Sequence, residues 1–89
     1  MYPGDAYRQA RAALEKALIA VRELGGKVED ITRSRIYLTP DADWQGAVRA
    51  HAELLGEVAP ANTTIRVAGL IGLGFLVEIE LDAEVDETD

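Results

Sequence analysis

Apolar residues recur along this chain with two different periods. Ala10, Leu14, Ala17, Leu18, Val21 and Leu24 follow one another at steps of three and four, and Arg8, Arg11, Glu15, Lys16, Arg22 and Glu23 fill the other side. That spacing predicts an amphipathic helix of about five turns, capped by Asp5 and stopped by Gly25-Gly26. Residues 31–39 are rich in β-branched and aromatic types and end at Pro40-Asp41, which predicts a strand. In it Ser34, Ile36 and Leu38 point one way and Arg33, Arg35 and Tyr37 the other. A second helix is predicted from about Asp43 to Leu55, with Trp44, Ala47, Val48, His51, Ala52 and Leu55 as its stripe and Gly56 as its stop.

The period then changes to two. Val77, Ile79, Leu81, Ala83 and Val85 alternate with Glu78, Glu80, Asp82, Glu84 and Asp86, as in a strand with one face on a core. Asn62 to Ala68 forms another strand, and the glycine-punctuated stretch from Gly69 to Gly74 between the two predicts a hairpin. These glycines resemble a phosphate loop only superficially, because no helix follows. The resulting order, α-β-α-β-β, is an α+β fold: a small mixed sheet with two helices on one face. The helices would cover Ile36, Leu38, Thr63, Ile65, Val67, Val77, Ile79 and Leu81. The opposite face would gather Arg33, Arg35, Tyr37, Asn62, Thr64, Arg66, Glu78, Glu80 and Asp82.

Composition narrows the chemistry. With 89 residues, the chain predicts a single domain, 1–89, and a core small enough to make oligomerisation a route to stability. Without cysteine there is no disulfide, thiolate metal site or thiol catalysis, and one histidine, His51, offers little to a metal. The net charge of −7 disfavours nucleic acid and anionic membranes as partners. Six of the acids and no base lie in residues 80–89, so the rest of the chain is nearly neutral, and 86–89 reads as a flexible acidic tail. No apolar run is long enough to span a bilayer and the first residues do not form a signal peptide, so the expected location is cytoplasmic.

Four stretches in this order resemble the Rid family of reactive-intermediate imine/enamine deaminases, also called YjgF-like and formerly endoribonuclease L-PSP. They are Gln9-Ala10-Arg11-Ala12-Ala13-Leu14; Val28 to Ile31 leading into Arg35-Ile36-Tyr37-Leu38-Thr39; Pro60-Ala61-Asn62-Thr63-Thr64-Ile65-Arg66-Val67; and Leu76-Val77-Glu78-Ile79-Glu80. The resemblance implies a chorismate-mutase-like fold, a homotrimer with ligand clefts between subunits, a small-molecule metabolite as substrate, and hydrolysis without a metal or cofactor. It also implies that Glu78 places the attacking water. The family's carboxylate-binding arginine corresponds to Asn62, its early second-helix asparagine to Arg49, and the strands that usually precede the first helix are missing.

Two functions follow as expectations. One is an imine or enamine deaminase of the 2-iminobutanoate/2-iminopropanoate type, with Glu78 as the catalytic carboxylate. The other is a non-catalytic metabolite-binding or regulatory trimer, favoured by Asn62 and the short amino terminus. Ribonuclease activity, implied by the older family name, is disfavoured by acidity and by the lack of a histidine pair. Tyr37 is a ligand-stacking or packing residue, Arg66 an anion binder or a partner of the acidic row, and Arg49 a substitute clamp for the absent arginine. Gly72 would line the cleft with its backbone amide, and His51 is a core or interface residue rather than a ligand to a metal.

Overall fold

Asp5 has extended backbone and accepts a hydrogen bond from the Arg8 amide, so the first helix, α1, begins at Ala6 and runs to Glu23. It closes in a Schellman turn. The Gly25 amide bonds the Arg22 carbonyl at 3.0 Å, the Gly26 amide bonds the Val21 carbonyl at 2.9 Å, and Gly25 takes the required positive φ of 94°. Leu24, assigned above to the apolar stripe, is 84% exposed because the turn carries it past the core. The computed structural model describes residues 2–85, so the tail expected at 86–89 lies outside the described residues.

A short 3-10 turn, Val28–Asp30, leads into β1 (Ile31–Leu38), which is followed by α2 (Trp44–Leu55), β2 (Ala61–Arg66) and β3 (Val77–Ala83). The predicted α-β-α-β-β order and the mixed sheet are as observed. The predicted hairpin is not. The strand order is β2-β1-β3, with β1 central, parallel to β2 and antiparallel to β3. A helix between β1 and β2 makes them a βαβ unit, whose strands lie side by side in the same direction. The next strand then crosses the end of β1 to pair on its far side, and residues 67–76 are that crossing rather than a tight turn.

The register fixes which side chains share a face. Ser34, Ile36 and Leu38 are buried under the helices, and Ile36 and Leu38 oppose Ile79 and Val77 of β3, as the alternation predicts. In β2 the prediction is inverted. Asn62, Thr64 and Arg66 pair with Ser34, Ile36 and Leu38 on the helix side, leaving Thr63 and Ile65 on the open face with Arg35 and Tyr37. A strand's side chains alternate with period two, so a one-residue misjudgement of facing moves every one of them to the wrong side.

The core consists of Ala6, Ala10 and Leu14 of α1, Ile31, Ile36 and Leu38 of β1, Ala42, then Ala47, Ala50 and Leu55 of α2 and Val77 of β3. Small residues bring the helices close: a Cβ on Gly46 would sit 3.2 Å from the Tyr7 Cβ. The buried face of α2 is therefore Gly46, Ala47, Ala50 and Leu55, turned toward α1. Trp44, Val48 and Ala52 of the predicted stripe are exposed. Trp44 and Val48 instead border a groove along β2 with Leu38, Thr64, Ile65 and Arg66.

Candidate functional site

On the open face of the sheet, charged residues of β1 and β3 oppose one another by register: Arg33 with Asp82, Arg35 with Glu80, and Tyr37 with Glu78. Side chains reach one rung diagonally. Arg35 donates through both terminal nitrogens to Asp82, at 3.3 and 3.1 Å. This pairing holds the Asp82 carboxyl below its usual range and the Arg35 guanidinium above its own. The Tyr37 hydroxyl donates to Glu80 at 2.6 Å, which raises the tyrosine pKa. Arg33 donates to Thr63 at 2.6 Å. One carboxylate of the row remains: among the described residues Glu78 has no hydrogen-bond or ion-pair partner.

Glu78 stands at the start of β3, where the 67–76 crossing meets the sheet. Leu70, Ile71, Phe75 and Val77 line a depression of about 210 Å³ with it. The Phe75 ring lies over Gly72, which has φ +119°, and a Cβ there would run into the ring. Ile71 and Leu73 are 98% and 94% exposed. An exposed, unpaired carboxylate beside an apolar wall is suited to orienting a water or accepting a proton next to a partly apolar ligand.

The other expected site residues stand elsewhere. Asn62 donates to the Ser34 hydroxyl at 2.9 Å and accepts from the Thr64 hydroxyl at 2.7 Å, all on the helix side of the sheet. Arg66 donates from one nitrogen to the carbonyls of Thr39, Pro40 and Ala42, at 3.0 to 3.1 Å, and so pins the β1–α2 turn. Arg49 lies over the Tyr7 ring, 4.1 Å from its centroid, on the helical side. Within one chain, then, Tyr37 and Gly72 share the neighbourhood of Glu78, whereas Asn62, Arg49 and Arg66 do not. Glu78 and Asn62 are on opposite faces and on the two outer strands.

Two side chains that the sequence reading passed over organise these regions. Ser34 is fully buried and joins Asn62 to His51, whose Nε2 is 2.7 Å from the Ser34 Oγ. Its position on the buried face of β1, between arginines, was the available signal. The second is Gln9, buried among Ala6, Ala10 and Leu14 on α1. Among the described residues no group of three or more His, Cys, Asp or Glu side chains is arranged to hold a metal ion.

Burial holds the His51 pKa below its usual 6.5. As pH falls below about 6.5 the unfolded chain takes up this proton first, so stability is complete above that value and declines with acidification. Asp82 and Glu53, also shifted downward, begin to act only at lower pH. The urea midpoint is therefore expected to drop between about pH 7.5 and pH 5.5, and to drop less in His51→Gln, which keeps an acceptor for Ser34 and does not titrate there.

The family model for endoribonuclease L-PSP matches residues 1–85. The chain belongs to that family, the Rid or YjgF/YER057c/UK114 group. It is 36% identical over 80 residues to the uncharacterised protein SCO2049 of Streptomyces coelicolor, covering 90% of this chain and 60% of that protein. It is 33% identical over 85 residues to 3-aminoacrylate deaminase RutC of Acinetobacter baylyi, covering 96% of this chain and 67% of RutC. Among solved structures, the YjgF-family member Rv2704 of Mycobacterium tuberculosis matches with a TM-score of 0.87 and 37% identity, over 94% of this chain and 71% of that one. This chain thus spans about 60% to 70% of the length of these relatives. Among the described residues no helix is long and apolar enough to cross a membrane.

Proposed function

We propose that this Rid protein hydrolyses small imines or enamines in clefts formed between copies of the chain, with Glu78 as the acting carboxylate. The observation that carries the reading is the state of Glu78: of the three carboxylates in β3 it alone has no partner among the described residues, and it borders an apolar depression at the end of the sheet. A deaminase among the relatives supports the same reaction class. In the proposed step Glu78 accepts a proton from a water whose oxygen attacks the iminium carbon. Glu78 then returns this proton to the nitrogen of the resulting carbinolamine, and as the carbon–nitrogen bond breaks the hydroxyl gives its own proton to the carboxylate, leaving a carbonyl compound and ammonia, which carries that proton away as ammonium.

Assembly belongs to the proposal because one chain leaves the site unfinished. Its open sheet face carries Ile65, 45% exposed, and its crossing segment carries Ile71 and Leu73. A homotrimer, which would cover these and bring a second chain beside Glu78, is the proposed form. A second reading, metabolite binding without catalysis, is favoured by Asn62: the residue at the arginine position spends its amide on Ser34 and Thr64 and offers no cationic fork to a carboxylate.

An amino-acid oxidase coupled to this protein separates the two. The imine it releases decays spontaneously in water, and that decay is expected to accelerate in proportion to added protein. Decay at the buffer rate, even with protein in large excess over oxidase, would eliminate the enzymatic reading and leave the binding one.

A further inference from the structure

We infer that Gln9 is a positioning residue that holds the Phe75 segment against the Glu78 depression, an inference that rests on the reading of Glu78 given above. The Gln9 side chain leaves α1 in its buried face, 6% exposed, and is hydrogen-bonded on both of its polar atoms. Its Nε2 donates to the Gly74 carbonyl at 2.9 Å and to the Tyr2 carbonyl at 2.9 Å, and its Oε1 accepts from the Leu76 amide at 2.8 Å.

The two partners in the crossing segment flank Phe75. A side-chain amide presents one donor and one acceptor side by side, as a peptide group does, so Gln9 pairs with this stretch as a neighbouring strand would. The stretch needs such a partner. The Leu76 carbonyl is taken by the Thr39 amide and the Val67 amide by the Leu38 carbonyl, but between them residues 68–75 make no other hydrogen bond to the rest of the chain among the described residues. Without Gln9, the Gly74 carbonyl and Leu76 amide would be left without a partner next to the core, and Phe75 would lose the constraint on both of its sides. Phe75, with Leu70 and Ile71, walls the depression at Glu78. Gln9 touches no reacting atom, and its effect passes through that wall.

Phe75 is the only phenylalanine of the chain, so protein labelled with 4-fluorophenylalanine gives a fluorine signal from this segment alone. The wild-type resonance is expected to be single and displaced from that of the unfolded chain, and Gln9→Leu is expected to move it toward the unfolded position. Gln9→Glu is the sharper variant because it carries its own control. Ionised, it accepts from Leu76 but repels the Gly74 and Tyr2 carbonyls; protonated, it again donates to one of them. Its resonance should therefore be wild-type-like at about pH 5 and displaced at about pH 8, with the helical circular dichroism unchanged.

In the imine assay at about pH 8 the same variant should raise KM about tenfold while kcat stays within about twofold, since the wall is displaced and the carboxylate is not. A fluorine signal unmoved by Gln9→Leu, a pH-independent signal in Gln9→Glu, or an unmoved KM beside a moved signal would each overturn the inference. Failure of the functional reading shows separately, as wild-type protein that does not accelerate imine decay.

Discussion

Replacing Glu78 with glutamine is expected to reduce imine hydrolysis by about 10²–10⁴-fold, the usual loss on removing a general base, with fold and assembly unchanged. Both halves follow from its surroundings. Glutamine is nearly isosteric and still holds a water, but it cannot take a proton from it at neutral pH. Structurally the change should be silent, because Glu78 is exposed and has no partner among the described residues. Its neighbour along the row makes the comparison: Asp82 is held by Arg35 and Glu80 by Tyr37, so Glu80→Gln should leave the rate within a few-fold of wild type. The check is the coupled assay on both variants, together with circular dichroism and light scattering. A Glu78→Gln protein at wild-type rate would remove Glu78 from the mechanism.

The largest loss of stability is expected at Leu14. Its side chain is fully buried between α1 and the sheet, and truncation to alanine removes three carbons and leaves a cavity, costing about 2–5 kcal/mol. A chain of this size has a total stability of roughly 4–13 kcal/mol, so Leu14→Ala should unfold a substantial fraction of the protein or shift its urea midpoint far down. Ile71→Ala deletes the same kind of group from a residue that is 98% exposed and should leave the stability of the single chain unchanged. Equal midpoints for wild type and Leu14→Ala would contradict the core described above.

Much of this architecture could be read from the sequence because α1, β1 and β3 each bury one face, and burial imposes a period. Asp5, Gly25 and the alternation of β3 were legible for that reason. The errors lie where a face is not decided by water. In β2 the run of Thr63, Ile65 and Val67 looks like a core face, yet Ile65 points to the open side, and the helix side is filled by Asn62 bonded to Ser34. An edge strand that is half-exposed on both sides carries no clear alternation. In α2 the stripe correctly included the buried Ala47 and Leu55, but Gly46 and Ala50, small enough for close approach to α1, carry little hydrophobic signal, whereas the exposed Trp44 and Val48 carry much.

The parallel pairing of β1 with β2 was implied by the helix between them, a topological rule outweighed by the glycine-rich stretch that looked like a hairpin. As for the candidate site, alternation placed Glu78 and Tyr37 on the same face, and the structure sets them directly opposite one another there. Arg66 was expected from its place on the polar face and Arg49 from its alignment with the family's second-helix asparagine, and each is engaged by a partner that no local pattern reveals: three turn carbonyls for Arg66 and an aromatic ring for Arg49. Gln9 follows Ala6 by three positions and so falls on the buried face of α1, which was the signal for it.

Hydrolysis at Glu78 in a cleft between copies is tested most directly by following specific activity through a dilution series while light scattering gives the mass of the same samples. Activity per chain should hold while the scattering mass is that of three chains, and should fall as the mass drops toward the 9.6 kDa of one. Full activity retained in samples that scatter as single chains would contradict it.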